Sequence, residues 1–344
     1  MLNELRVGIV GLGVMGSDHA RNLAAGVRGA ALVAVSDADR PRAESIAAEL
    51  GAAHVFDNGL DMIGSGEIDA LIIATPDDTH ASLVRAALGA GLAILCEKPL
   101  APTAEEAVEI VALAESLPAH RLSMGFMRRF DQGYRALKDR IDAGADGRLL
   151  MTHSVHRNVS AYPGQDSAAT ITNSAVHEFD ILPWLSGSRL VRAQWTAGRP
   201  SSLIETRHDP QFVILHDESG VLHTIQLQVH ARYGYDVRCE VVCEEGSAEL
   251  APVPALVEQE PIVTHSNLAR STAYPADWRP RFADAYRREL QAWVISSLAG
   301  TVPAEATTPR EALESALVAR AVVQSMSSQS AIVDIPTVDE WLAR

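Results

Sequence analysis

Along the first 125 residues, short runs of almost unbroken apolar positions alternate with stretches where apolar residues recur at helical spacing. Residues 5–10, 31–36, 70–74 and 92–96 are the apolar runs, and each predicts a strand. Residues 16–25, 42–50, 79–90 and a stretch from Pro102 or Thr103 to about Leu117 predict helices. Thr75-Pro76 stops the third strand and Gly91 sits just past the third helix. A strand that is apolar at successive positions has no polar face, so it belongs in a sheet covered on both sides. Alternation of this kind makes right-handed βαβ crossovers and a doubly wound parallel (Rossmann) sheet.

Beyond Met124 the pattern changes. Residues 212–216, 221–230, 236–243 and 247–251 predict successive strands, with turns at Glu218-Ser-Gly220 and Glu245-Gly246. Such spacing predicts an antiparallel meander. Helical stretches at 134–143, 174–185, 282–299 and 310–327 frame it. The expected protein is α/β with two domains. Residues 1–124 form a dinucleotide-binding domain, and residues 125–344 an α+β substrate-binding and oligomerisation domain with an open, mainly antiparallel sheet. Val221, Ile225, Leu227 and Val229 suit either a core face or an interface. Residues 251–274 carry the least pattern, and there is no internal repeat.

The length of 344 residues agrees with two domains of roughly 150 each. Acidic residues number 44 against 29 Lys plus Arg, a net charge of −15. A nucleic-acid partner needs a basic footprint and an anionic membrane needs the same, so neither is expected. Cys96, Cys239 and Cys243 have no disulfide framework and no metal-ligand spacing, so they read as small buried hydrophobes in a reducing compartment, and no metal is expected. No apolar run nears the ~20 residues of a membrane span. The chain enters a strand almost directly after Met1, so no signal peptide is expected either, and the reading is a soluble cytoplasmic protein.

Candidate chemistry begins at Gly11-Leu-Gly13-Val-Met-Gly16, directly after a strand and opening a helix. Gly11 allows the tight turn, Gly13 the approach of a pyrophosphate, and Gly16 close helix–strand packing. Val14 and Met15 open the helix, whose free N–H groups and dipole favour phosphate. A glycine turn alone is weak evidence. Here Asp37 also ends the second strand, 21 residues beyond Gly16, where a carboxylate holds ribose hydroxyls. That carboxylate repels a 2′-phosphate, so NAD is expected over NADP. Arg40 and Arg42 are the contrary signal, since arginine accepts a 2′-phosphate.

After the fourth strand stands Glu97-Lys98-Pro99. With this motif, the Ala74-Thr75-Pro76 turn and His80, the chain resembles the Gfo/Idh/MocA oxidoreductase family. The segments Gly125-Phe-Met-Arg-Arg-Phe-Asp131, His153-Ser-Val-His-Arg-Asn158, Val176-His-Glu-Phe-Asp180, Tyr233-Gly-Tyr-Asp236 and Asp277-Trp278 look like its inositol 2-dehydrogenase branch. The resemblance covers nearly the whole chain. It implies NAD-dependent oxidation of a ring hydroxyl of a cyclic polyol, most simply myo-inositol to its 2-keto form, without a metal. It also implies that Thr75, Pro76, His80 and Glu97 belong to the cofactor site, and that the protein is a homotetramer.

Such chemistry needs a group to take the hydroxyl proton, a group to steady the alkoxide, and tight placement. Lys98, at the end of a parallel strand, is the expected alkoxide partner, although a lone lysine is ordinarily a solvated charge. His177 is the expected general base, because an ordinary imidazole titrates at ~6.5. Asn173 or Ser174 is expected to cap its helix. At α-helical spacing, Asn173, His177 and Asp180 share a face. Arg128, His156, Asn158 and Tyr235 are assigned to the polyol, with core or surface roles equally open. Trp184, Trp195 and Trp293 read as packing.

Asn173 departs from the resemblance, because the branch usually has aspartate four residues before the histidine. An amide orients an imidazole but carries no charge to favour its protonated form. The expectation is an active dehydrogenase whose His177 titrates low. The rivals are a dehydrogenase for another inositol isomer or a sugar, a non-enzymatic NAD-binding regulator on the same fold, and a scaffold protein.

Overall fold

The computed structural model describes residues 4–117, 120–160, 164–256, 264–266 and 268–343. It divides into two compact units, one of residues 1–130, 285–314 and 338–344, the other of residues 131–284 and 315–337.

The first unit begins with β1 (Leu5–Val10), α1 (Val14–Gly26), β2 (Ala30–Ser36), α2 (Arg40–Leu50), β3 (His54–Phe56) and α3 (Gly59–Gly64). It continues with β4 (Ala70–Ile73), α4 (His80–Gly89), β5 (Ala93–Glu97), α5 (Ala104–Ser116) and β6 (Leu122–Gly125). The six strands are parallel in the order β3-β2-β1-β4-β5-β6. Both β4 and β5 are buried at every position, as expected of strands covered on both faces. The short β3 and α3, and β6 with its polar Ser123, escaped the apolar pattern.

The second unit holds α6 (Gln132–Asp142), β7 (Leu149–Arg157), α7 (Ser167–Thr170), a π turn at Ile171–Ala175 and α8 (Val176–Ser186). Then come β8 (Leu190–Thr196), β9 (Gln211–Asp217), β10 (Leu222–Gln228), β11 (Asp236–Cys243), β12 (Ser247–Glu249), α9 (Val253–Leu256) and a hairpin of β13 (Thr264–Ser266) and β14 (Ala269–Ser271). The chain closes with α10 (Trp278–Leu298), α11 (Pro309–Ser327), β15 (Val333–Asp334) and α12 (Val338–Leu342).

The second sheet is seven-stranded, in the order β12-β11-β7-β10-β9-β8-β15. It is mainly antiparallel, but no simple meander. Near its middle, β7 runs parallel to β10 and antiparallel to β11. Thr152, Ser154 and His156 occupy buried positions of β7, so its inward face is polar and gave no apolar signal. Val221, Ile225, Leu227 and Val229 are buried, which makes theirs a core face.

A single boundary after residue 124 does not describe the packing. Leu290, Trp293 and Val294 of α10 join Val7, Ile9, Val35, Ile72 and Leu95 in the core of the first unit. Burial follows proximity and not chain order, so α10 starts in the second unit and ends in the first. All three cysteines are free and buried. Among the described residues, no helix is long and apolar enough to cross a membrane.

Candidate active site

In the first sheet the C-terminal ends of β2, β1, β4 and β5 lie level, with Ser36, Val10, Ile73 and Cys96 in register. The strand order reverses between β1 and β4, the place where open α/β sheets bind ligands. Gly11, Asp37, Ala74 and Lys98 therefore follow side by side along one edge.

Local packing explains the glycines. Gly11 has φ 86°, and a Cβ there would lie 2.5 Å from the Ala74 carbonyl oxygen. A Cβ on Gly16 would lie 1.8 Å from the Gly11 carbonyl oxygen, so α1 packs too closely against the turn for any side chain. At Gly13 a Cβ would meet nothing within 4 Å. That open cradle faces the start of α1, whose N-cap Gly13 supplies no side-chain hydrogen bond and whose first turn has no acidic residue. Val14 is 59% exposed beside it. These residues fit a pyrophosphate held by backbone N–H groups.

The Asp37 carboxylate accepts hydrogen bonds from the backbone N–H of Leu12 (2.5 Å) and of Asp39 (2.7 Å), which fixes it beside the glycine turn. Arg42 bonds to Asp37 (3.3 Å) and Asp39 (3.0 Å), while Arg40 bonds to Glu44 (2.9 Å) and to Asp57. Both arginines are thus engaged by carboxylates, which answers the contrary signal they gave in the sequence.

His80 is 1% exposed, with Nδ1 2.7 Å from the Pro99 carbonyl oxygen and Nε2 3.0 Å from that of Thr75. It braces the turn after β4 against the segment after β5. Its geometry is that of a support for Thr75 and Pro76, with both ring nitrogens used by backbone. The hydroxyls of Thr75 and Thr79 lie 2.6 Å apart in the same turn.

Glu97 ends β5 almost fully buried, its Oε1 2.7 Å from Nε2 of His19 on α1. Lys98 follows, half-buried. Burial pushes its ammonium below the ordinary lysine range, and Arg128 adds to that, while Glu97 and Asp77 pull the other way. Arg128 is 1% exposed and belongs to the first unit, whereas His156, Asn158 and Tyr235 belong to the second.

In the second unit, the register brings the end of β7 beside the start of β11, with Arg157 opposite Asp236 and His156 opposite Val237. This gathers His156, Asn158 and Tyr235 at one end of the sheet. Asn158 is pinned by its backbone, donating to Gln228 (3.0 Å) and accepting from Ala231 (2.7 Å). The His156 ring lies 6.5 Å from that of Tyr235 and 6.4 Å from that of His177. His156 Nδ1 is 3.0 Å from the Glu178 carboxylate, and both residues are buried.

The helix carrying His177 differs from the expectation. Neither Asn173 nor Ser174 caps it. The helical run starts at Ser167, capped by Asp166, whose side chain accepts from the Ala169 N–H at 2.9 Å. Asn173 lies inside the π turn, and regular α-helix resumes only at Val176. A π turn closes i→i+5 and widens the helix, so α-helical spacing relates His177 to Asp180 but not to Asn173. Sequence alone carries no signal for such a turn.

Sequence reading also passed over His19 and Glu178. His19 is a polar residue on the buried side of α1, beside Ala20 and Leu23, and Glu178 directly follows the histidine singled out. A buried ionisable residue on an otherwise apolar face was the available clue in both.

Fold and site together define a Rossmann-type oxidoreductase with a separate α+β domain. Residues 5–126 match the family model for the oxidoreductase family with an NAD-binding Rossmann fold, and residues 134–249 match the GFO/IDH/MocA C-terminal domain. The chain belongs to the Gfo/Idh/MocA oxidoreductase family and binds NAD through its N-terminal Rossmann domain. It is 44% identical to inositol 2-dehydrogenase 2 of Paenarthrobacter aurescens over 94% of this chain and 96% of that one. It is also 44% identical to inositol 2-dehydrogenase 1 of Saccharopolyspora erythraea, over 86% and 87%. Among solved structures, myo-inositol dehydrogenase from Lactobacillus casei in complex with NAD(H) and myo-inositol superposes with a TM-score of 0.91, at 30% identity and 97% coverage of both chains.

Proposed function

We propose that the protein is an NAD-dependent dehydrogenase that oxidises a ring hydroxyl of a cyclic polyol, myo-inositol before other isomers, to the ketone. The observation that carries this reading is the shared edge of the first sheet. An open glycine cradle after β1 and a half-buried lysine after β5 stand on one side, at the switch point. The relatives named inositol 2-dehydrogenase supply the substrate class.

When bound, the nicotinamide of NAD accepts the hydride. The chain does the rest. Backbone N–H groups at the start of α1 hold the pyrophosphate, and Asp37 accepts hydrogen bonds from the ribose hydroxyls. His177 takes the hydroxyl proton. Lys98 Nζ stabilises the alkoxide oxygen as charge develops, which lowers the barrier only because that charge exists in the transition state. His156, Asn158, Tyr235 and Arg128 orient the remaining hydroxyls. His156 is held in one orientation by Glu178, which a residue positioning a ring of near-equivalent hydroxyls requires.

The test is NADH formation over a panel of myo-, scyllo- and chiro-inositol, glucose and xylose, each repeated with NADP. Turnover is expected to be fastest on myo-inositol, with lower kcat/KM for NADP, whose 2′-phosphate is repelled by the Asp37 carboxylate. Activity on none of these, with NAD still bound, gives the regulator reading. Activity confined to linear or acidic sugars removes inositol.

The three buried free thiols fit a reducing compartment, and we assign the protein to the cytoplasm. We infer a homotetramer, built on the face of the second sheet opposite its core. There Phe212, Ile214 and Leu222 are only half-buried, among Thr224 and Gln226. Light scattering at micromolar concentration is expected to return four chains, and a monomer mass overturns this.

A further inference from the structure

We propose that His19 is a positioning residue for Lys98: through the Glu97 carboxylate it ties the helix that carries the glycine fingerprint to the end of the strand that presents the lysine. The inference rests on the role given to Lys98 above and goes one residue shell further out.

The geometry is specific. His19 is 0% exposed and Glu97 6% exposed, and Nε2 lies 2.7 Å from Oε1. Among the described residues Nδ1 of His19 is buried with no hydrogen-bond partner, so the bond to Glu97 is the ring's one hydrogen bond there. A carboxylate only accepts, so Nε2 carries the proton and donates. The Tyr286 ring, edge-on at 5.8 Å and 79°, fixes the imidazole plane. Opposite, Gly125 leaves room for Glu97, because a Cβ there would lie 3.1 Å from the carboxylate. Glu97 is thus clamped from α1 and from β6, and the next residue along the chain is Lys98.

A buried imidazole with one unused nitrogen is a poor choice for packing alone, since leucine would fill the space without an unsatisfied polar atom. A hydrogen bond that satisfies and orients a buried carboxylate explains it. Glu97, Asp77 and Arg128 act on Lys98, and His19 meets the Glu97 carboxylate and the Tyr286 ring. Glu97 is common to both: it bonds to His19 and acts electrostatically on Lys98. Without its donor, the Glu97 carboxylate is no longer held in place, and the Lys98 ammonium loses a fixed attractive charge beside it and a fixed backbone origin.

The experiment compares His19→Leu with His19→Gln in the full-length protein, using whichever panel polyol is turned over. His19→Leu is expected to lower kcat by about 10- to 100-fold, as misplacement by an ångström does. The KM for NAD should change little, and the alkaline limb of kcat/KM should move to lower pH. His19→Gln, whose amide N–H reaches the same oxygen, should restore most of kcat and return the limb. In a Lys98→Ala background, His19→Leu should cost nothing further. Equal losses in both His19 variants with the limb unmoved overturn the proposal in favour of packing. A loss of NAD affinity that accounts for the whole effect overturns it in favour of the cofactor helix. Normal turnover by Lys98→Ala alone sinks the role of Lys98 itself, a result distinct from either.

Discussion

Replacing Lys98 with alanine is expected to lower kcat by about 10²–10⁴, with NAD binding at nearly its original affinity. A factor of this size is about 2.7–5.4 kcal/mol of transition-state stabilisation. In the proposed role Lys98 supplies it, because a charge is worth more in a partly desolvated site than in water. The same burial predicts the pH dependence. Desolvation lowers the lysine pKa, and Glu97 and Asp77 recover only part of it. The ammonium is the useful form, so activity is lost as pH rises through the lowered value, and the alkaline limb falls below the ~10.4 of an ordinary lysine. Lys98→Arg keeps a charge that does not titrate in this range and removes that limb, although its fork-shaped head positions the alkoxide less well. A pH–rate profile for the three forms, with an NAD titration of Lys98→Ala, checks this. Near-normal turnover by the alanine form refutes the role.

The second large effect is at His177. His177→Gln is expected to lower kcat/KM by about 10²–10⁴ and to abolish the acid limb, since no base remains to be protonated. Asn173→Asp acts on the same limb without removing the base. A carboxylate in the preceding turn favours the imidazolium, so the base stays protonated to higher pH and the acid limb moves upward. The π turn adds a condition, because Asn173 is not one α-helical turn from His177. Two further acidic residues, Glu178 and Asp180, are buried on the same helix. If the limb stays where it is or moves down in Asn173→Asp, position 173 does not set the charge balance at His177, and those carboxylates are the next to change.

The architecture of the first sheet was legible in the chain because local signals carry it. Unbroken apolar runs mark covered strands, and G-x-G-x-x-G needs only its neighbours to make its turn. Asp37, Thr75 and Lys98 were legible for the same reason: each lies within two residues of a strand's end, and a parallel sheet aligns strand ends by its hydrogen bonds. In the second unit that logic weakened. The strand β7 turns Thr152, Ser154 and His156 inward, so its burial depends on partners distant in sequence, and the meander was drawn without it. The π turn at Ile171–Ala175 has no compositional signature, so Asn173 was placed on a regular helix it does not belong to. The pairs His19–Glu97 and His156–Glu178 join residues 78 and 22 positions apart. The allegiance of Leu290, Trp293 and Val294 to the first core is of the same kind. Periodicity reports which face of an element is apolar, but only packing in three dimensions decides what that face meets and which buried charge finds its partner.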